Sequence, residues 1–399
     1  MINRPDYIAA IEPFIDKPLV KILAGIRRCG KSTIFEMLRE ELLRRGARED
    51  QIICKRYTEM DIPENITAKQ MYDELTAAMA GKGHCYLLLD EIQEITGWEK
   101  AVNSLLESAD ADIYVTGSNS KLMSSEISTY LTGRYVSIPV YTLSFKEYLD
   151  FKAASTLSRR ELLEEYIRFG GFPIIALSEY DEQSAYQIVN GIYHTVVSRD
   201  IVKRHRINKQ DLFDRVVKYI IENMGKTFSA NSISTFLKSE HRKVSVESIY
   251  NYLRWLEQAF IIYPCERYDL QGKSILKTQE KYYLADVSLK YALLGYNRKM
   301  LDGAMENIVY LELKRRGYDV YIGKNDTKEI DFVATRRDER IYVQVCVRIP
   351  EASDREVGNL MEIRDHYPKY VVTLNEMDTG IEDGIRIVHL ADFLLADAW

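Results

Sequence analysis

Residues 25–33 read Gly-Ile-Arg-Arg-Cys-Gly-Lys-Ser-Thr, a full match to G-x-x-x-x-G-K-[ST]. This motif narrows the fold sharply, because such a loop works only between a strand and a helix. The apolar run LVKILAG (19–25) precedes it, and the helical stretch STIFEMLREELLRRG (32–46) follows. Its glycines permit a tight turn whose backbone N–H groups converge on phosphate oxygens. The helix N-terminus adds the positive end of a dipole at the same place. In a loop of this kind Lys31 reaches the β- and γ-phosphates, and the Ser32 hydroxyl serves Mg²⁺. The expected nucleotide-binding set is Gly25, Arg28, Cys29, Gly30, Lys31, Ser32 and Thr33. Arg27 and Arg28 face either phosphate or a carboxylate, and both alternatives stand.

A second element lies about sixty residues downstream, where Tyr86-Leu-Leu-Leu-Asp90-Glu91 reads as an apolar strand ending in two carboxylates. On a parallel strand beside the first, Asp90 faces the same crevice as the loop. It is expected to hold Mg²⁺ through water, with Glu91 polarising the attacking water as general base. The expected ligands are therefore ATP and Mg²⁺, and the expected reaction is ATP hydrolysis.

Strand-like runs at 19–25, 51–59, 85–91, 111–118 and 134–140 alternate with helical sequence. That alternation implies an α/β fold with a parallel sheet wrapped by helices. Residues 143 to about 265 are helical by period, and the stretch 229–260 reads as two helices joined by a short polar segment. A strand-turn-strand pattern around Gln271-Gly272 follows, and helix, turn, helix and hairpin in that order imply a winged helix. Beyond about residue 303 come a helix, four strand-like runs and an expected closing pair of helices.

Apolar residues make up 46% of the 399 and charged residues 29%, which excludes a disordered or fibrous chain. The 54 basic and 60 acidic residues leave a net charge of −6, so the chain as a whole is not built to bind polyanions. Five scattered cysteines without a CxxC pair fit free thiols in a reducing compartment, and the six isolated histidines offer no metal-ligand spacing. With no secretory signal pattern and no run long enough to span a bilayer, a cytoplasmic protein without membrane contact is expected.

The segments GIRRCGKST, LLLDEIQEITGWEKAVNSL and VTGSNSKLMSSEISTYLTGRYVSIPVYTLSFKEYL resemble the bacterial and archaeal AAA+-type ATPase family of the AAA_14 kind, joined to a C-terminal DUF4143 region at 301–399. RFGGFP, SRDIVKR, NYLRWLEQAFIIYPCERYD and KYYLAD extend the resemblance over nearly the whole chain. It implies an AAA+-like core at 1–145, a helical lid at 146–205, a winged-helix-like unit at 206–300 and a nuclease-like α/β domain at 301–399. It also implies that Ser118 or Asn119 acts as the polar sensor of the γ-phosphate or the lytic water. Arg134 then stands where such proteins carry an arginine finger acting on a neighbouring subunit, which implies a homo-oligomer. The bland alternative for Arg134 is a surface arginine at a strand entry.

Two further regions bear on partners. Lys203, Arg204, Arg206 and Lys209, with Lys238, Arg242 and Lys243 near the helix-turn-helix, could meet a phosphate backbone without reading sequence. Near the C-terminus, Asp331 and the run Tyr342-Val-Gln344-Val-Cys346 resemble a PD-(D/E)xK nuclease skeleton. Gln344 stands at the second carboxylate and Cys346 at the lysine, so a nuclease-like fold without nuclease activity is expected. Three uses of ATP turnover compete: a switch acting on an unidentified protein partner, a DNA-associated machine of defence or mobile-element biology, and an ATP-gated nuclease.

Overall fold

The structure is a computed structural model that describes residues 2–58, 63, 66–123, 127, 130–131, 133–207, 209–242, 244–272, 274–297, 300–350 and 355–399. The chain divides into two compact units, residues 1–141 with 258–260, and residues 142–257 with 261–399.

In the first unit, β1 (Val20–Ala24), β2 (Ile52–Arg56), β3 (Cys85–Asp90), β4 (Ala111–Gly117) and β5 (Tyr135–Pro139) form a fully parallel sheet in the order β2-β3-β4-β1-β5. Every residue of β1 is buried, as a central parallel strand covered on both faces must be. β2 differs because it, like β5, is one of the two sheet edges. Its Ile52 and Ile53 are buried while Cys54 is exposed, so this run is half-solvated rather than a wholly buried strand. Helices α1 (Pro5–Ile11), α2 (Lys31–Arg44) and α4 (Trp98–Ser108) pack on the strands, and α3 (Ala68–Met79) packs on α4. Because the strands run parallel, their C-terminal tips share one edge, with Ala24 beside Gly117 and Leu89 beside Val115. At the other end Lys21 and Asp112 form a buried ion pair. Asp112 also accepts from the Tyr114 hydroxyl at 2.6 Å and the Asp16 N–H at 2.9 Å.

The second unit begins with helices whose starts are written locally. Phe145–Phe151 and Arg159–Phe169 each open on a capping box, Ser144 with Glu147 and Ser158 with Glu161. Helices Gln210–Glu222, Ala230–Ser239 and Val246–Gln258 then lead into the hairpin β6 (Ile262–Asp269) and β7 (Ser274–Leu284). That hairpin is no free wing, because β6 pairs in parallel with β8 (Asp319–Asn325). It forms one edge of an eight-stranded mixed sheet with β9 (Lys328–Arg336), β10 (Glu339–Cys346), β11 (Lys369–Thr373), β12 (Gly380–Glu382) and β13 (Ile385–His389). The pairing satisfies backbone groups that an isolated hairpin would expose. One sheet thus runs through both the winged-helix-like and the nuclease-like stretches of sequence.

The helix Leu301–Arg315 is buried almost all round and packs on β7 to β10. Instead of the expected closing helix pair, β12 and β13 precede a single helix, Leu390–Leu395. In β13 Ile385, Ile387 and His389 are buried while Arg386 is exposed, the two-residue alternation of a strand. Among the described residues no helix is long and apolar enough to cross a membrane.

Candidate nucleotide site

The loop after β1 is shaped by close backbone approach. A Cβ at Gly25 would lie 1.9 Å from the Val140 carbonyl oxygen, so only glycine fits. Gly30, at φ +103°, adopts a left-handed conformation as the N-cap of α2. Arg28 holds φ +68° and is exposed, as is Thr33 on α2. Cys29 is buried, and its carbonyl oxygen accepts from Arg4 Nη1 at 2.8 Å. Arg4 is itself buried and also donates to the Tyr141 carbonyl at 3.1 Å, so a residue at the start of α1 braces the loop from behind. The buried Lys31 Nζ donates to the carbonyls of Gly25 at 2.9 Å and Ile26 at 3.1 Å, curling over its own loop.

Asp90, at the tip of β3, gathers the neighbouring tips. Its Oδ2 accepts from the Ser32 hydroxyl at 2.7 Å and from Arg56 Nε at 3.0 Å, and its Oδ1 accepts from the Thr116 hydroxyl. Ser32 and Asp90 thus present hard oxygen donors side by side, the kind of set Mg²⁺ takes when phosphates and waters complete its shell. These residues fit the ion. Among the described residues no group of three or more His, Cys, Asp or Glu side chains could hold a metal.

Glu91 has left-handed backbone angles, φ +55° and ψ +44°, and its N–H donates to Thr116 Oγ1 at 3.0 Å. Its Oε2 accepts from Gln93 Nε2 and from the Ser118 hydroxyl, the latter at 3.3 Å. Arg27 Nη1 lies 3.6 Å from the same oxygen, and Arg27 Nη2 donates to Glu94 Oε1 at 3.3 Å. Of the two alternatives for Arg27, the carboxylate is the one seen.

The structure therefore brings Lys31, Ser32, Asp90, Glu91 and Ser118 to one edge of the sheet, and Asn119 is buried beside Ser118. Arg134 is elsewhere. Its neighbour Tyr135 pairs with Val20, at the end of β1 opposite the phosphate loop, and its guanidinium donates to Asn103 at 3.0 Å and Glu107 at 2.6 Å. Arg4, Arg56, Gln93 and Thr116 escaped the sequence reading. Only Gln93, two residues past Glu91, carried a signal of proximity.

In the second unit Arg242 pairs with Asp211 and Arg215 with Glu240, while Lys203, Arg204, Arg206 and Lys209 are exposed. Lys243 lies outside the described residues. The C-terminal carboxylates meet an unforeseen cation. Lys281 of β7 reaches Glu329 at 3.0 Å, Glu306 at 3.3 Å and Asp331 at 3.8 Å. Burial opposes the charge of Lys281, but Glu306, Asp331 and Glu329 outweigh it and raise its pKa. Burial also raises the pKa of Glu306 and Asp331, against the pull of Lys281. Asp331 accepts from the Val345 N–H at 2.9 Å, and Gln344 bridges the Asp331 N–H at 2.8 Å to Glu356 at 2.7 Å. Burial pushes the Cys346 thiol up to about 12.

Residues 17–149 match the AAA_14 family, an AAA domain. Residues 160–299 match a domain of unknown function, DUF8612, in place of the DUF4143 region that the resemblance implied. An uncharacterized protein of Haemophilus influenzae is 37% identical over 398 residues, 99% of each chain. The uncharacterized protein MJ1544 of Methanocaldococcus jannaschii is 32% identical over 355 residues, 85% of this chain and 77% of that one. The Walker-type ATPase PABY2304 of Pyrococcus abyssi shares the fold at a TM-score of 0.52 and 15% identity, over 73% of this chain and 96% of that one. With the phosphate loop, the acidic strand tip and the parallel sheet in hand, this chain belongs to the family of its Haemophilus and Methanocaldococcus relatives, a family of AAA-type P-loop ATPases.

Proposed function

We propose that this protein binds ATP with Mg²⁺, hydrolyses it, and uses turnover as a conformational switch on a macromolecular partner. Lys31 and the loop N–H groups hold the phosphates, and Ser32 and Asp90 hold Mg²⁺. Bound there, the ion neutralises charge on the β- and γ-phosphates. Glu91 takes the proton of the attacking water, and Ser118 or Asn119 senses the γ-phosphate. Arg134, remote from its own loop, serves the site of a second copy in a homo-oligomer. The observation that carries the reading is the 2.7 Å hydrogen bond from Ser32 to Asp90 beside the buried Lys31.

A protein partner is favoured over DNA by the chain's net charge of −6 and by the carboxylates that pair with Arg242 and Arg215 beside the helix-turn-helix. Steady-state ATP hydrolysis, with and without DNA, tests the proposal. Expected are Mg²⁺-dependent turnover abolished in Lys31→Ala, ATP binding without turnover in Glu91→Gln, and no response to DNA. Turnover that survives Lys31→Ala overturns the ATPase reading. A several-fold stimulation by DNA overturns the choice of partner.

A further inference from the structure

We propose that Gln93 positions the Glu91 carboxylate for its work on the attacking water; the inference rests on the ATPase reading and adds to its reaction centre a residue that no motif marks. Gln93 sits in the short 3₁₀ turn Ile92–Glu94 that follows β3. Its amide nitrogen donates to Glu91 Oε2 and, at 3.3 Å, lies against the Ser118 hydroxyl oxygen. The other end of the amide is packed away. Gln93 Oε1 is buried against Gly117 and has no hydrogen-bond partner among the described residues. Leaving a buried acceptor unpaired costs stability, so what the Nε2 end does at Glu91 is the purpose of this arrangement.

The space for that amide is built into β4. A Cβ at Gly117 would lie 2.3 Å from Gln93 Oε1 and 2.0 Å from Leu122 Cδ1. Any side chain at the tip of β4 would therefore displace the amide. Gln93 is thus held on two sides, by the Glu91–Ser118 pair and by the bare backbone of Gly117.

The chemistry follows from the Nε2 end of the amide, which fixes the Glu91 carboxylate against the water. One water proton passes to Glu91 as the water oxygen bonds to the γ-phosphorus. The bond from the γ-phosphorus to the bridging oxygen breaks, and ADP leaves with that electron pair. Gln93 itself neither gains nor loses a proton, so its work is orientation.

Gln93→Ala and Gln93→Glu test this in the full chain. For each, the affinities for ATP, for ADP and for ADP with aluminium fluoride are measured alongside kcat, KM and the pH profile. In Gln93→Ala, ATP and ADP affinity should stay within about twofold, while kcat and aluminium-fluoride affinity fall together by about 10–100-fold. In Gln93→Glu only the protonated carboxyl can replace the amide donor, so activity should gain a new limb that rises as pH falls. Gln93→Ala with unchanged aluminium-fluoride affinity, or with ATP affinity reduced as much as kcat, overturns the proposal. Should Gln93→Ala fail to fold, the pH profile of Gln93→Glu decides, and a profile like that of the unaltered protein overturns it. An unaltered protein with no Lys31-dependent turnover overturns the ATPase reading itself, a result distinct from either.

Discussion

Arg56 Nε holds Asp90 Oδ2 at 3.0 Å, the same oxygen that accepts the Ser32 hydroxyl. The register of β2 against β3 sets the two residues directly opposite each other. The carboxylate proposed for Mg²⁺ therefore already has a protein cation beside it, and the two compete. Arg56 is nearly half exposed, so the pair is weak, about 0.5–1 kcal/mol. Arg56→Ala should lower the Mg²⁺ concentration for half-maximal ATP turnover by about two- to fivefold, read from a Mg²⁺ titration at fixed ATP. A higher Mg²⁺ requirement would instead assign Arg56 to the phosphates.

Arg4 bridges the Cys29 carbonyl and the Tyr141 carbonyl, and both contacts are buried. Arg4→Ala leaves those oxygens without their donor, at a cost of about 1–3 kcal/mol each. Urea unfolding of the variant should show a loss in that range. ATP affinity should fall as well, because the loop loses its brace. Unchanged affinity in a destabilised variant would restrict Arg4 to stability.

Lys21 and Asp112 neutralise each other at the closed end of the sheet, where burial lowers the pKa of Lys21 and Asp112 opposes the shift. Asp112→Ala strands a buried ammonium and should cost about 3–5 kcal/mol in chemical denaturation. Replacing both members with apolar residues of similar size should recover most of that loss. A double variant as unstable as the single one would mean that the Tyr114 and Asp16 contacts of Asp112 dominate.

Lys290 is buried in the helix Ser288–Leu294, and burial, then the nearby Lys226, push its pKa down to about 8 while Glu306 opposes them. The unfolded chain titrates this group near 10.5, so between about pH 8 and 10.5 it binds more protons than the folded chain. The destabilisation from Lys290 is therefore greatest below pH 8 and fades as pH rises. Lys290→Met should stabilise the protein by about 1–2 kcal/mol at pH 7, with a smaller gain at pH 10, read from urea unfolding at both values. A gain that grows with pH would contradict the sign of the shift.

What the sequence determined by itself was what contiguous residues encode. Residues 25–33 carry their own turn, dipole end and cation, so the phosphate loop is legible without a fold. The apolar runs that became the central strands β1, β3 and β4 announce a parallel sheet in the same way, because burial on both faces demands continuous hydrophobicity. The capping boxes at Ser144 and Ser158 are equally local. Tertiary structure alone decided which distant side chain completes each site. Arg4 meets Cys29 and Tyr141 across 25 and 137 residues, and Lys281 enters the carboxylates of Glu306, Glu329 and Asp331 from another strand. No spacing in the chain marks such partners, since any arginine or lysine has the right chemistry and only the packing of strands selects one. The pairing of β6 with β8 was hidden for the same reason, because backbone hydrogen bonds between strands are blind to sequence. Gln93 stands between the two cases: its place beside Glu91 is local, but Gly117 of β4 makes the room that lets its amide sit there.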